Sequence, residues 1–347
     1  MSPDHQHASG EIDIASLHAQ DSTGLLARID RAVVWDIPLT TPFRGITRRD
    51  GVLLHGPGGW GEVAPFWDYG LEASAPWLAS GLCQALGNSL LPRYRETISV
   101  NVTVPEVGAQ EAAELVRASG ARTAKVKVSG SSDKRSADLE RLEAVRSALG
   151  RSGKVRIDVN GAWDLDTARE NLPLMDRAAG GLEYAEQPCA TVYDLADLRR
   201  AVDVPIAADE SIRRAHDPME VARKQAADVV IIKVAPLGGV RAALRVARKS
   251  GLGVVVSSAL ETSVGLSVGV AAAAAVPGPS RAAGLATASL LVGDVTEPLV
   301  PERGRLPVER REPDRELIDR TPVDGDLIAR WGMRLEGMAE HLGVASR

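Results

Sequence analysis

The sequence predicts an α/β protein: a (β/α)8-type barrel preceded by a small N-terminal α+β unit that C-terminal residues complete. Three observations carry this. From Thr97 onward, short β-branched runs alternate eight times with Ala-, Arg-, Leu- and Glu-rich segments of helical period, over about two hundred residues. Before Thr97, short strand-like runs lead into an Ala- and Leu-rich helical stretch. After Asp294 the chain becomes rich in proline and charge, with Pro298, Pro301, Pro307 and Pro313, and reads as a segment returning to the N-terminal unit.

Length and composition bound the rest. A chain of 347 residues and 36.7 kDa accommodates one large barrel with an appendage. With 44% hydrophobic and 25% charged residues it resembles ordinary globular proteins that bury a large core. Its net charge of −5 offers no basic footprint, so nucleic acid is not an expected partner. Cys83 and Cys189 form no C-x-x-C pair, which argues against a disulfide framework or a Cys-rich zinc site and fits a reducing cytoplasm. Residues 1–24 are polar, with His5, His7 and His18 scattered and no apolar core of a signal peptide. They read as a disordered native extension or a cloning remnant. The most apolar stretch, 264–276, is too short for a bilayer span and reads as a buried helix, so no membrane partner is expected. Nothing marks an interface, and the expectation is a monomer with no obligate protein partner.

Within the N-terminal unit, residues 25–95, strands are expected at 29–37 and 51–56, and Gly58-Gly-Trp-Gly-Glu-Val63 is a turn leading into a third. Residues 39–49, with Pro42, Phe43, Arg44 and Gly45, read as a mobile loop bearing one aromatic and one cation. Residues 69–90 read as one or two helices, ended by Pro92. The barrel, residues 96–295, takes strands at 98–104, 124–128, 155–160, 182–186, 205–209, 229–234, 253–258 and 283–287. Its helices fall near 107–119, 135–149, 165–179, 192–201, 217–226, 238–250 and 262–275. Residues 296–347 pack back on the N-terminal unit, with a tail past Asp324.

Alternation along 124–128 places Lys125 and Lys127 on one face, at the carboxyl end of their strand. Like charges so close disfavour each other's protonation, so at least one pKa is expected below the usual lysine range. A lysine so tuned takes a proton from carbon. Alone, a Lys-x-Lys also fits a solvated edge strand. The following strand ends carry Asp158 and Asn160, Glu186, Asp209 and Glu210, Lys233, and Ser257 with Ser258, at steps of 23 to 31 residues from Lys127 to Ser258. Each step is about one strand–helix unit, so each side chain reaches the same barrel mouth. Three carboxylates on consecutive strands repel one another unless a cation sits between them. An all-oxygen set without Cys or His favours Mg²⁺. Lysines on either side of such an ion suit proton abstraction next to a carboxylate, with charge stabilisation of the enediolate.

These motifs, Lys125-Val-Lys127, Asp158-Val-Asn160, Glu186-Gln-Pro188, Asp209-Glu-Ser211 and Lys233 followed by Gly238-Gly239, resemble the enolase superfamily in its muconate-lactonising-enzyme-like subgroup. That superfamily pairs a lysine or histidine base with Mg²⁺, and none of the six His of this chain falls in the set. Gly59-Trp-Gly-Glu-Val63 resembles its capping domain, and the likeness covers about residues 25 to 310. Within the subgroup, residues 232–240, 257–265 and 284–291 resemble the actinobacterial type of the o-succinylbenzoate synthase family.

That resemblance implies dehydration of 2-succinyl-6-hydroxy-2,4-cyclohexadiene-1-carboxylate to 2-succinylbenzoate, a menaquinone-pathway step on a small-molecule carboxylate. It also implies that Asp158, Glu186 and Asp209 bind Mg²⁺. Lys127 removes the α-proton and returns it to the departing hydroxide, while Lys233 stabilises the enediolate from the opposite face. Lys125 holds the substrate carboxylate and lowers the pKa of Lys127. Asn160 either orients groups near the metal or caps the following turn. Ser257 and Ser258 either bind the succinyl end or cap the next helix. Arg44 either pairs with the succinyl carboxylate or is a surface arginine beside Arg48 and Arg49. Glu210 is a rival to Asp209 as ligand, but alternation points it away from the mouth. Phe66-Trp67-Asp68-Tyr69 departs from the small, Gly/Pro-rich segment expected of the capping domain.

Other activities remain open at this level. N-succinylamino acid racemase uses the same lysine pair. Dipeptide epimerase expects an Asp-x-Asp where this chain has Gly284-Leu-Ala-Thr287, and muconate cycloisomerase is a further member. From other classes, a Schiff-base aldolase leaves the carboxylates without purpose, and a non-catalytic scaffold leaves the whole set without purpose.

Overall fold

The computed structural model describes residues 8–43, 45–87, 93–215, 217–318 and 323–345. The N-terminal unit is a four-stranded antiparallel sheet in the order β1-β2-β3-β4, with β1 (Ala8–Glu11), β2 (Arg31–Phe43), β3 (Ile46–Gly56) and β4 (Gly59–Val63). Helices α1 (Ile14–Gln20) and α2 (Leu71–Ala85) complete it. Gly51 is required where it stands, because a Cβ there would meet Trp35 and Ala64 side-chain atoms at 2.7 Å.

Two expectations fail here. Residues 8–20 are no disordered extension: β1 pairs with β2, and Asp13 caps α1 by accepting from Ala15 N at 3.0 Å. An edge strand is held through its backbone, so Ala8-Ser-Gly-Glu needs no apolar period to join the sheet. Residues 39–43 and 46–49 are not a loop but strand residues at the far end of the β2–β3 hairpin, irregular between Pro38 and Phe43. Arg44 lies outside the described residues.

The barrel follows as β5 (Thr97–Ser99), β6 (Val102–Val104), α3 (Ala109–Ser119), β7 (Thr123–Lys127), α4 (Arg135–Leu149), β8 (Lys154–Asp158), α5 (Leu165–Ala178), β9 (Leu182–Glu186) and α6 (Val192–Ala201). It continues through β10 (Ile206–Ala208), α7 (Glu210–Arg213), α8 (Glu220–Arg223), β11 (Val229–Lys233), α9 (Val240–Ser250), β12 (Gly253–Ser257) and α10 (Ser263–Ala274). Strands β6 to β12 form one parallel sheet in chain order. The expected eighth strand is reduced to Ala283 and Gly284, which bridge the two edges of the sheet at Val100 and Ser257. The expected helix at 217–226 is reduced to the single turn of α8.

Strand β13 (Arg305–Pro307) pairs with β5, and α11 (Arg315–Ile318) leads to α12 (Gly325–Ala345). The tail expected past Asp324 is therefore a helix. Trp331, Leu335 and Met338, at i, i+4 and i+7, are fully buried against the N-terminal unit. Trp331 Nε1 donates to Asp50 Oδ1 at 3.0 Å, and the Arg334 guanidinium donates to the carbonyls of Phe66 at 2.7 Å and Tyr69 at 3.1 Å. Ala259, Leu260 and Val264 of the barrel belong to this same core, which joins the two units.

Candidate active site

Alternation along the barrel strands sorts side chains into layers. Val126, Ile157, Ala185, Ala208, Ile232 and Val256 face the surrounding helices. Tyr184, Ala207, Val229, Ile231 and Val255 form an apolar layer of their own inside the barrel. Glu186, Asp209, Lys233 and Ser257 each lie two residues beyond a member of that layer, so the pleat turns them inward at the carboxyl ends. The site is polar because the chain changes composition at this level, not because the strands change direction.

Lys125 Nζ donates to Asp158 Oδ2 at 2.8 Å and to Glu186 Oε1 at 3.0 Å. Lys127 Nζ donates to the same Asp158 oxygen and to Asn160 Oδ1, both at 2.6 Å. Four strands further round, Lys233 Nζ donates to Asp209 Oδ2 at 2.7 Å. Asp158, Glu186 and Asp209 are at most 2% exposed. The structure thus brings both lysine stations, all three carboxylates and Asn160 together.

The charges perturb one another strongly. Burial alone would raise Asp158, but Lys125 and Lys127 hold its carboxyl well below the usual range. Asp209 is lowered against the same burial effect by Lys233 and Arg213. Glu186 is pushed up to about 7, first by burial and then by Asp158. Lys125 is not the lysine of lowered pKa that the pair is expected to hold. Although burial disfavours its charge, Asp158 and Glu186 raise its pKa well above the ordinary lysine value. Direct contact with two carboxylates outweighs the cost of burying the charge.

The three carboxylates are all-oxygen donors, buried and incompletely neutralised at Glu186, and that chemistry fits a hard divalent cation. Among the described residues no three His, Cys, Asp or Glu side chains are arranged to hold a metal ion as they stand. Lysines take inward oxygens of all three carboxylates instead.

Ser257 and Ser258 line the cleft. Ser257 Oγ donates to Gly284 O at 3.3 Å, and Ser258 Oγ shares a hydrogen bond with Thr287 Oγ1 at 2.8 Å. Neither caps α10. Glu62 of β4 and Asp294 do so, accepting from Thr262 N at 3.0 Å and from Ser263 N at 3.1 Å. Asn160, at φ 53°, donates through Nδ2 to Glu210 Oε1 at 3.1 Å. Glu210 points toward Asn160 and Arg213 and does not reach the carboxylate cluster.

Five residues had no role assigned from the sequence. Gln187 locks the ends of β9 and β10 by accepting from Asp209 N at 3.0 Å and donating to Ser211 Oγ at 2.7 Å. Arg213, four residues after Asp209, donates to its Oδ1 at 3.1 Å; that helical spacing was the available signal. Phe43, Phe66 and Tyr69 bring the N-terminal unit over the mouth, with the Phe43 ring centroid 5.9 Å from Lys127 Nζ. The resulting cleft has about 710 Å³ of space, counting its open mouth.

Comparison with known proteins agrees with this architecture. Residues 108–313 match the family described as Enolase C-terminal domain-like, and residues 34–85 match Enolase N-terminal domain-like. The chain is 54% identical to the o-succinylbenzoate synthase of Thermobifida fusca (strain YX), over 86% of this chain and 93% of that protein. It is 47% identical to the o-succinylbenzoate synthase of Mycobacterium ulcerans (strain Agy99), over 82% and 86%. Among solved structures, the fold is similar to N-succinyl Arg/Lys racemase from Bacillus cereus ATCC 14579, with TM-score 0.71 at 20% identity, covering 83% of this chain and 96% of that one. It is also similar to L-Ala-D/L-Glu epimerase from Bacillus subtilis, with TM-score 0.68 at 24% identity, covering 81% and 96%.

Proposed function

The chain belongs to the enolase superfamily, in the family of the o-succinylbenzoate synthases, and on that premise we propose how its site performs the family's reaction. The reaction dehydrates 2-succinyl-6-hydroxy-2,4-cyclohexadiene-1-carboxylate to 2-succinylbenzoate, a step toward menaquinone. One observation carries the reading: lysines stand on opposite sides of a buried carboxylate cluster, beneath an apolar lid.

The proton to be removed lies α to a carboxylate and is a weak acid, so its loss needs a base and stabilisation of the charge left behind. Lys127, as the neutral amine, takes the proton from carbon 1. Lys233, across the barrel and charged, faces the enediolate. Lys125 holds the substrate carboxylate. The Lys127 ammonium then returns the proton to the hydroxyl at carbon 6 as the carbon–oxygen bond breaks, releasing water and the aromatic ring. The same lysine serves both steps because hydrogen and hydroxyl leave from one face. Asp158, Glu186 and Asp209 are the residues that would hold Mg²⁺. When bound, the ion supplies positive charge to the substrate carboxylate and to the enediolate derived from it.

The test is a spectrophotometric assay with the cyclohexadiene substrate, with Mg²⁺ and with EDTA, followed by racemisation of N-succinyl amino acids. Fast, Mg²⁺-dependent aromatisation with negligible racemisation is expected. Efficient racemisation with slow aromatisation would overturn the substrate assignment and leave the lysine chemistry in place.

A further inference from the structure

The segment Phe66-Trp67-Asp68-Tyr69 stood out in the sequence without an assigned purpose, and its last residue reaches the barrel mouth. Tyr69 Oη accepts a hydrogen bond from Arg213 Nη1. Arg213 Nε donates to Asp209 Oδ1 at 3.1 Å, and its Nη2 donates to Glu210 Oε1 at 2.6 Å. From these two carboxylates the hydrogen bonds run on to both lysines. Asp209 Oδ2 accepts from Lys233 Nζ at 2.7 Å. Glu210 Oε1 also accepts from Asn160 Nδ2 at 3.1 Å, and Asn160 Oδ1 accepts from Lys127 Nζ at 2.6 Å. One guanidinium is thus the node between the N-terminal unit, Lys127 and Lys233.

We propose that Arg213 is a positioning residue for both lysines, and that Tyr69 makes its placement depend on the N-terminal unit. The proposal rests on the function given above. Its physical basis is the guanidinium fork. Three acceptors in fixed directions suit a planar group with five donors, whereas a lysine ammonium in the same place would be a point charge on a flexible stem. The Arg213 side chain is only 4% exposed, so water does not compete for these bonds. Stability alone does not explain the arrangement. Glu210 Oε2 is buried without a hydrogen-bond partner, and Asn160 holds a left-handed backbone conformation that non-glycine residues adopt at a cost. Within this arrangement Asn160 binds Glu210 through Nδ2 and leaves Oδ1 to accept from Lys127.

Tyr69→Phe and Arg213→Lys test this, separately and combined. Tyr69→Phe keeps the ring that packs on Phe66 and Trp77 and removes only the hydroxyl. It should lower kcat about tenfold with KM within about twofold. It should also raise the primary isotope effect on substrate deuterated at carbon 1, because a misplaced base slows proton transfer itself. Arg213→Lys should lower kcat about a hundredfold. Adding Tyr69→Phe to it should cost little more, since the hydroxyl acts only through the fork. If Arg213→Lys does not fold, the kcat and isotope effect of Tyr69→Phe decide alone. An unchanged isotope effect, a loss confined to KM, or full additivity would overturn the proposal. Absence of turnover by the unaltered enzyme would overturn the functional reading, and this proposal with it.

Discussion

At the scale of single residues, Asp158 shares one carboxylate oxygen between two ammonium groups, and the two lysines are not equivalent. Lys125 is the more buried and also touches Glu186, while Lys127 lies nearer the open cleft and touches Asn160. This asymmetry suits Lys125 to holding a carboxylate and Lys127 to moving a proton. Removing Lys127 still leaves Asp158 paired with Lys125, so the site should survive the change. Lys127→Ala should therefore lower turnover by about a thousandfold while leaving Mg²⁺-dependent ligand binding measurable by calorimetry. A residual rate within about tenfold of the unaltered enzyme would exclude Lys127 as the base.

At the scale of elements, the N-terminus of α10 is where the two units are pinned. Glu62, from β4, accepts from Thr262 N, from Thr262 Oγ1 and, at 2.9 Å, from Gly265 N, while Asp294 takes the Ser263 amide. Because α10 starts just after the Ser257–Leu260 stretch, this clamp also holds one wall of the cleft. Burial pushes the Glu62 carboxyl from 4.5 up to about 8, the Thr262 hydroxyl opposes that shift, and Glu261 adds to it. A folded-state pKa raised in this way gives stability that is complete below about pH 4.5 and is lost as pH rises through about 8. The melting temperature should accordingly fall between about pH 5 and about pH 8, and Glu62→Gln should flatten that fall. Thermal melts across this range would show identical slopes if the clamp does not titrate there.

The molecule as a whole depends on how the barrel closes. Its eighth position is only the Ala283–Gly284 bridge, tied by two backbone hydrogen bonds on each side, with Ser99 and Asn101 and with Val256 and Ser258. Arg156 compensates from inside. Its guanidinium is fully buried and donates to Glu183 Oε2 at 2.7 Å, to Ala282 O at 2.8 Å and to Asn101 Oδ1 at 3.0 Å, and it lies over the Tyr184 ring. One side chain of β8 thereby crosses the lumen to both sides of the seam. Replacing it leaves the buried Asn101 amide oxygen and the half-buried Ala282 carbonyl without this partner. Arg156→Ala should destabilise the protein by about 3–5 kcal/mol in urea unfolding. A loss below about 1 kcal/mol would mean that the bridge closes the barrel unaided.

The amino-acid sequence by itself determined the strand–helix rhythm and the ring of Lys125, Lys127, Asp158, Glu186, Asp209 and Lys233. Both follow from short-range periodicity, since a pleat of period two and one unit of about 25 residues bring these side chains to one mouth. Tertiary structure alone decided what depends on distant partners. The polar segment 8–11 became a strand because the edge of β2 was there to receive it. The residues beyond Asp324 became a buried helix because α2 and the N-terminal sheet offered an apolar face, although the period of Trp331, Leu335 and Met338 was present to be read. Tyr69 meets Arg213 across 144 residues, a contact that no local pattern encodes. Asp158 and Glu186 hold the Lys125 pKa above the ordinary lysine value, because burial and contact set the dielectric and the neighbours of a charge, and both are properties of the packed molecule.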